Sequence, residues 1–240
     1  EINNVKVVSH YNANNISSAY RKMKTRNLDI FIRDQKSIDI LDKVFIDEKL
    51  ITMEEYISPR KPFGIESNII NTSKWSTNIN SFTNPIKCLA KGLKFGYIDL
   101  QNVVSHRNWI EKWKVYTPRA NNVGTELNDD NLNTIIGQPN SICTEAYIVI
   151  GADLELNENS ANNIRKYFKS KFARFMHGIA KASHDASRTT YRFVPVQDFT
   201  SNSDINWSKS IAEIDKQLYK KYGLSEDEIN YIESMIKPME

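Results

Sequence analysis

Ala146-Tyr147-Ile148-Val149-Ile150-Gly151 is an unbroken apolar run closed by a glycine, and Ile164, Phe168, Phe172, Phe175 and Ile179 follow it at helical spacing. The first pattern has the length and bulk of a buried strand. The second steps by 4, 4, 3 and 4, a single apolar stripe along a helix that opens near the capping types Asn157 to Ser160. Upstream, Lys114-Val115-Tyr116-Thr117 reads as another strand, closed by Pro118. Before it, Ile86, Cys88 and Ala90 alternate, Gly92 punctuates, and Leu93 to Ile98 continues extended, giving strand, turn, strand. Val103, Val104 and Ile110 suggest a helix between these strands, and a polar loop broken by Gly124, Gly137 and Pro139 runs from Arg119 to about Ser141.

The same reading extends to both ends. Leu28-Asp29-Ile30-Phe31-Ile32 alternates as a short strand, and Ile38, Leu41 and Phe45 mark a short helix. Thr52-Met53-Glu54-Glu55 has the form of a capping box. Ser58-Pro59-Arg60-Lys61-Pro62-Phe63-Gly64 is a loop, and the Asn-, Ser- and Thr-rich stretch to about Asn84 is irregular, the best place for an internal seam. Past the long helix, Thr189 to Val194 turns extended before Pro195. Ile211, Ile214 and Leu218 then carry a helix that Gly223 can stop in a left-handed cap. Ser225-Glu226-Asp227-Glu228 is a second capping box, opening a helix built on Ile229, Ile232 and Ile236. The expectation is an α+β fold with small mixed or antiparallel sheets, a basic amphipathic helix and a C-terminal helical hairpin. Its parts are an N-terminal α+β part over 1–84, an α+β core over 85–200 and the hairpin over 201–240.

Composition sets the bounds. The 240 residues are 40% hydrophobic and 25% charged, enough to bury a substantial core and unlike collagenous, disordered or disulfide-scaffold chains. No stretch approaches about 20 consecutive apolar residues, so no membrane partner is expected. Two cysteines, Cys88 and Cys143, suggest a reducing, cytoplasmic setting, although a lone pair can also form a disulfide. The chain opens on Glu1 without a basic segment leading into an apolar one, as expected of a fragment of a longer protein.

A net charge of only +3 conceals a strong polarity along the chain. Arg165 to Arg192 holds eight basic residues and one acid, Asp185, whereas Asp198 to Glu240 holds nine acids and five lysines. Lys166, Lys169, His177 and Lys181 share a helical face away from the phenylalanine stripe, and such a face suits phosphates. It is also the ordinary composition of solvated surface, and the acidic tail can fold back to neutralise it. Ser183 to Arg192 interleaves short polar, aromatic and arginine side chains of the kind that read base edges, and Arg60 and Lys61 sit in a loop stiffened by Pro59 and Pro62.

Catalytic constellations are sparse. There is no Walker-type loop and no paired-glycine turn for a dinucleotide or adenosyl cofactor. Asn84-Pro85-Ile86-Lys87 lacks the second proline and the aromatic of an Asn-Pro-Pro-aromatic loop. His10, His106, His177 and His184 have no metal-ligand spacing and read as surface or half-buried residues. Asp47-Glu48-Lys49, with Asp29 as an upstream acid, has the form of a Mg²⁺-dependent nuclease centre, but such triplets arise by chance in lysine-rich chains. The stripe Phe168, Phe172 and Phe175 reads as core rather than a base-stacking platform.

Six segments occur in an order that resembles a known family: Ser58 to Gly64, Lys114 to Ala120, Ile142 to Gly151, Thr190 to Phe199, Leu218 to Leu224 and Glu226 to Pro238. Together they are similar to the C-terminal target-recognition region of large single-chain, adenine-specific DNA methyltransferases of bacterial restriction–modification systems. The resemblance implies sequence-specific binding of duplex DNA in the service of N6-adenine methylation. It also implies that the adenosylmethionine pocket and the catalytic loop belong to an N-terminal methyltransferase domain of the same chain, with no cofactor in this region and a restriction subunit as a further partner. The target adenine would be flipped out toward that domain. On this reading Lys166, Lys169, Lys171 and Arg174 position phosphates. Arg188, Tyr191 and Arg192, with Arg60 and Lys61, reach into a groove, and Arg119 is a further contact. The rivals are a Mg²⁺-dependent restriction nuclease domain and a protein-interaction module that docks a partner through the acidic hairpin from Ser208 to Pro238.

Overall fold

A computed structural model describes residues 4–12, 15–23, 30–46, 49–121, 123 and 134–239. The fold is α+β, with three small sheets, five α-helices and a C-terminal helical pair among the described residues. Strands β1 (Val5–Asn12) and β2 (Asn15–Arg21) form an antiparallel hairpin. Strands β3 (Pro85–Ala90) and β4 (Lys94–Asp99) form a second one, and β7 (Ser141–Cys143) joins β3 in parallel, giving the order β4-β3-β7. Strands β5 (Lys114–Pro118), β6 (Ile135–Gly137) and β8 (Tyr147–Ile150) form an antiparallel sheet in the order β6-β5-β8. The apolar run at Tyr147–Ile150 is buried along its whole length, as its composition dictates.

The β6-β5-β8 sheet is a wall between two cores. Val115, Ile148 and Ile150 project into a large helical core, and Tyr116, Tyr147 and Val149 into a smaller one built around β3, β4 and β7. The alternation is the period of two of a strand with both faces covered. The larger core draws on all three segments named above: Ile38 and Leu41 from the first, Ile164 and Phe172 from the second, Ile214 and Ile232 from the third. The smaller core gathers residues between Phe63 and Ala152. In it Gly96 lies so close under Trp75 that an added Cβ would fall 2.5 Å from the indole, so only glycine fits. Cys88 and Cys143 are buried free thiols; Cys88 pairs with Ile142 and Cys143 with Leu89, so their side chains leave the sheet on opposite faces.

Helix α1 (Gln35–Val44) starts at Asp34, whose carboxylate accepts the Ser37 amide, and buries Ile38, Ile40, Leu41 and Val44. The long helix expected from Asn157 onward is two helices, α2 (Glu158–Lys169) and α3 (Lys171–Ala180). The break is at Ser170, whose extended backbone (φ −64°, ψ 147°) ends α2 while its hydroxyl caps α3 by accepting from the Ala173 amide. Asp215, from the next helix in the chain, makes the break affordable. Its two carboxylate oxygens accept the Lys171 and Phe172 amides at 3.0 and 2.9 Å, satisfying donors that helix continuity would otherwise have used. The apolar stripe survives the break, with Phe168, Phe172 and Phe175 all buried and Phe172 stacked on Tyr222 at 5.0 Å.

Helix α4 (Ile211–Lys221) opens with a Ser210–Glu213 capping box and ends as expected at Gly223. With φ +60° at that glycine, the Leu224 amide donates to the Tyr219 carbonyl and the Gly223 amide to Lys220, a complete Schellman cap. The Ser225–Glu228 box opens α5 (Glu226–Met235), also as expected.

Several local expectations are corrected. Thr52 makes no side-chain cap; Met53–Tyr56 is a short 3-10 helix in which the Glu55 amide bonds to the Thr52 carbonyl, while the Met53 amide bonds to the Val194 carbonyl. Residues 100–110 form two 3-10 turns rather than a helix. Arg188–Tyr191 is a 3-10 turn inside a Ser187–Thr190 capping box, not an extended segment. Ile30–Ile32 belongs to no strand, and Leu28 and Asp29 lie outside the described residues. Strands β6 and β7 lie within and just beyond a stretch read as a polar loop. No helix among the described residues is long and apolar enough to cross a membrane.

Candidate nucleic-acid interface

The basic residues of α2 and α3 do not form a free cationic ridge. Arg174 is 2% exposed, and its guanidinium donates to the Lys169, Ser170 and Lys237 carbonyls at 3.1, 3.2 and 2.7 Å. It ties the helix break to the chain following α5. Lys166 donates to the Trp207 and Lys209 carbonyls at 2.7 and 3.3 Å. Lys169 is buried, and burial lowers its pKa. Lys171 is ion-paired with Glu233 of α5, so at this point an acid of the tail does fold over the basic helix. Lys181 donates to the carbonyls of Asn121, Ser183 and His184. His177 is fully enclosed, stacked on Tyr191 at 3.9 Å with Nε2 2.8 Å from the Thr190 hydroxyl, and burial pushes its pKa down to about 3. That corrects the reading of His177 as a surface or half-buried residue.

The groove candidates are likewise engaged. Tyr191 is 1% exposed, a core ring rather than a groove contact. Arg192 is half-buried beside it. Arg188 is exposed, but its Nε donates to the Glu54 carbonyl at 2.8 Å. Arg119 pairs with Asp185 at 2.7 Å, closing a bridge between Ala120 and Asp185. Arg60 faces Glu145 at 3.5 Å and Lys61 pairs with Glu66 at 2.8 Å. The structure therefore spreads the ten named residues over several sites and gives most of them a fixed partner. Of the nuclease triplet, Asp47 and Glu48, like Asp29, lie outside the described residues. In the acidic hairpin, Glu228 pairs with Lys43 of α1 and Glu233 with Lys171, so both are directed at this chain.

A different surface carries uncommitted charge. Residues 67–98 contain four lysines, Lys74, Lys87, Lys91 and Lys94, and no acid. All four are exposed, and none meets a carboxylate among the described residues. Three of them are on the β3–β4 hairpin. The strand register places Lys87 and Phe95 on one face, with the Lys87 ammonium 5.0 Å from the centre of the Phe95 ring. Lys94 projects on the face of Gly96, which Trp75 covers. The segment carrying Lys74 is fastened alongside β4 by the paired backbones of Ser76 and Tyr97, at 3.1 and 2.7 Å. Around it stand exposed amides and hydroxyls, among them Asn71, Asn78, Asn80 and Ser81. The sequence did hold a signal for this surface, the lack of any acid over 32 residues, but its lysines are too sparse to stand out in a charge count.

A cleft of about 810 Å³ separates β1 and Phe31–Asp34 from the ends of α3 and α5. Its wall is mainly apolar; of the charged groups that line it beside Arg33, Asp34 caps α1 and Lys181 is held by carbonyls. Compared with known proteins, the chain matches no family model and no curated protein.

Proposed function

We propose that this chain binds duplex DNA through the lysines that project from both faces of the β3–β4 hairpin and from the adjoining segment from Asn71 to Asn84. The observation that carries the reading is the run of residues 67–98, whose four lysines are exposed, unopposed by any acid in the run and free of carboxylate partners among the described residues. Ammonium groups left unpaired beside hydrogen-bonding amides and hydroxyls are the side-chain set that positions a phosphate backbone. The resemblance to target-recognition regions extends the reading. The bound duplex is read for sequence in the cytoplasm of a bacterial cell, and an attached methyltransferase domain, holding adenosylmethionine, modifies adenine at N6 within a restriction–modification system. No residue of this chain is assigned to the cofactor.

The test is the salt dependence of affinity for a mixed-sequence duplex. Each phosphate contact contributes a log–log slope of about −0.9, so Lys87, Lys91 and Lys94 together give roughly −3. Reversing all three to Glu should abolish binding and leave the melting temperature unchanged. Affinity indifferent to salt, or to the triple reversal, contradicts the proposal.

A further inference from the structure

The tip of the β3–β4 hairpin holds an exposed leucine in a backbone conformation that leucine avoids. Leu93 has φ +60° and is 43% exposed, directly after Gly92 at φ +75°. A left-handed backbone is disfavoured for a side chain branched like leucine, and glycine or asparagine would hold this turn at lower cost. The side chain therefore gains nothing for the turn, and its exposure keeps it from contributing fully to the core. The tip is nonetheless fixed in place, because the Leu93 amide donates to the Tyr147 hydroxyl at 3.4 Å and the strands behind it pair without a register shift. Lys91 and Lys94 flank the Gly92–Leu93 turn in the chain, and Phe95, 46% exposed, follows in β4.

Resting on the duplex-binding reading, we infer that Leu93 is a wedge that distorts the duplex. Lys91 and Lys94 hold phosphates on the two sides of a groove, and the apolar tip enters between adjacent base pairs. Apolar side chains carried into a groove between cations unstack a base step and kink the helix, most easily at pyrimidine–purine steps. A rigid, anchored tip suits this better than a mobile loop, because the ordering cost of insertion has already been met in folding. A cationic tip with leucine and phenylalanine also has the composition of an anionic membrane contact. The flanking surface of Asn, Ser and Thr residues favours nucleic acid, since those side chains bond to phosphates and base edges and have no counterpart among acyl chains.

The experiment uses the whole chain and duplexes carrying 2-aminopurine at TA and CA steps, whose fluorescence rises when the base unstacks. Wild type should bind and raise the signal. Leu93→Asn, which suits the left-handed backbone and removes the apolar tip, should bind within about threefold of wild type without the rise, keeping the groove cations that supply most of the affinity. Leu93→Gly should do the same, and thermal melting of both variants should match or exceed wild type. The double variant Lys91→Glu, Lys94→Glu should lose at least about tenfold in affinity. An unchanged fluorescence rise in Leu93→Asn, or binding by wild type with no rise, overturns the wedge and leaves duplex binding standing. No binding of wild type to the duplex at low salt overturns both readings, whether or not the protein sediments with vesicles of 30% phosphatidylserine in phosphatidylcholine.

Discussion

The helical core and the β3–β4 hairpin use positive charge in opposite ways. Around α2 and α3 the cations are numerous and committed: Arg174, Lys166 and Lys181 bond to backbone carbonyls left open at helix ends and turns, and Lys171 pairs with Glu233. Lys114 follows the same pattern at the start of β5. Buried, it donates to the Ile110, Lys112 and Gln138 carbonyls, and burial draws its pKa down to about 8. On the hairpin the cations are few, and among the described residues no carbonyl or carboxylate holds them. A dense basic segment thus measures how many bonds an irregular backbone requires. A sparse one with no acid nearby marks charge left over for a partner.

Substitutions at three positions press on that contrast. The largest effect is expected at Arg174. Replacing it with Ala strips a donor from the buried Lys169 and Ser170 carbonyls and from the half-buried Lys237 carbonyl and opens a cavity, and should cost about 3–5 kcal/mol in urea denaturation. Arg174→Lys should not restore the loss, because one ammonium does not span the positions of a guanidinium fork. A cost below about 1 kcal/mol would mean that the committed cations are ornamental.

The next effect is in pH dependence at Asp215. Burial raises this carboxyl from 3.8 to about 6, although the Phe172 and Lys171 amides and Arg174 oppose the shift. Because its folded-state pKa lies above the unfolded value, the favourable contribution is complete below about pH 4 and is lost as pH rises through about 6. Asp215→Asn has no such titration. The stability of wild type relative to this variant should fall by about 3 kcal/mol between pH 4 and pH 7, at 1.36 kcal/mol per unit. A pH-independent difference between the two proteins would place the carboxyl in a far more polar site than its 3% exposure indicates.

The smallest effect on folding is expected at the hairpin. Lys91→Ala should leave unfolding free energy within about 0.5 kcal/mol of wild type while lowering the salt slope of duplex binding by about one. A large stability change there would show that this lysine, too, is spent within the fold.

What the sequence disclosed divides along the same line. Features settled by neighbours in the chain were legible: the Gly223 cap, the Ser225–Glu228 box, the strand closed by Pro118 and the turn at Gly92. The break at Ser170 was not, because the stripe of phenylalanines keeps its period across it and the carboxylate that permits it lies 45 positions away, at Asp215. Thr52 and Glu55 had the pattern of a capping box, but the Glu55 amide turns back to the Thr52 carbonyl in a 3-10 turn instead of meeting the Thr52 hydroxyl. The partners of the candidate site's cations were hidden for a related reason. Side-chain charge is written in the sequence, whereas the carbonyls of Trp207, Lys237 and Asn121 that consume it become neighbours only on folding.

One strand bears on how the whole molecule comes apart. Because β5 sends Val115 to one side and Tyr116 to the other, excising either half of the protein would strand greasy side chains of the wall in water. Heating should therefore melt both halves in a single event, and a shortened chain limited to the hairpin and its sheet would aggregate instead of standing in for the intact protein.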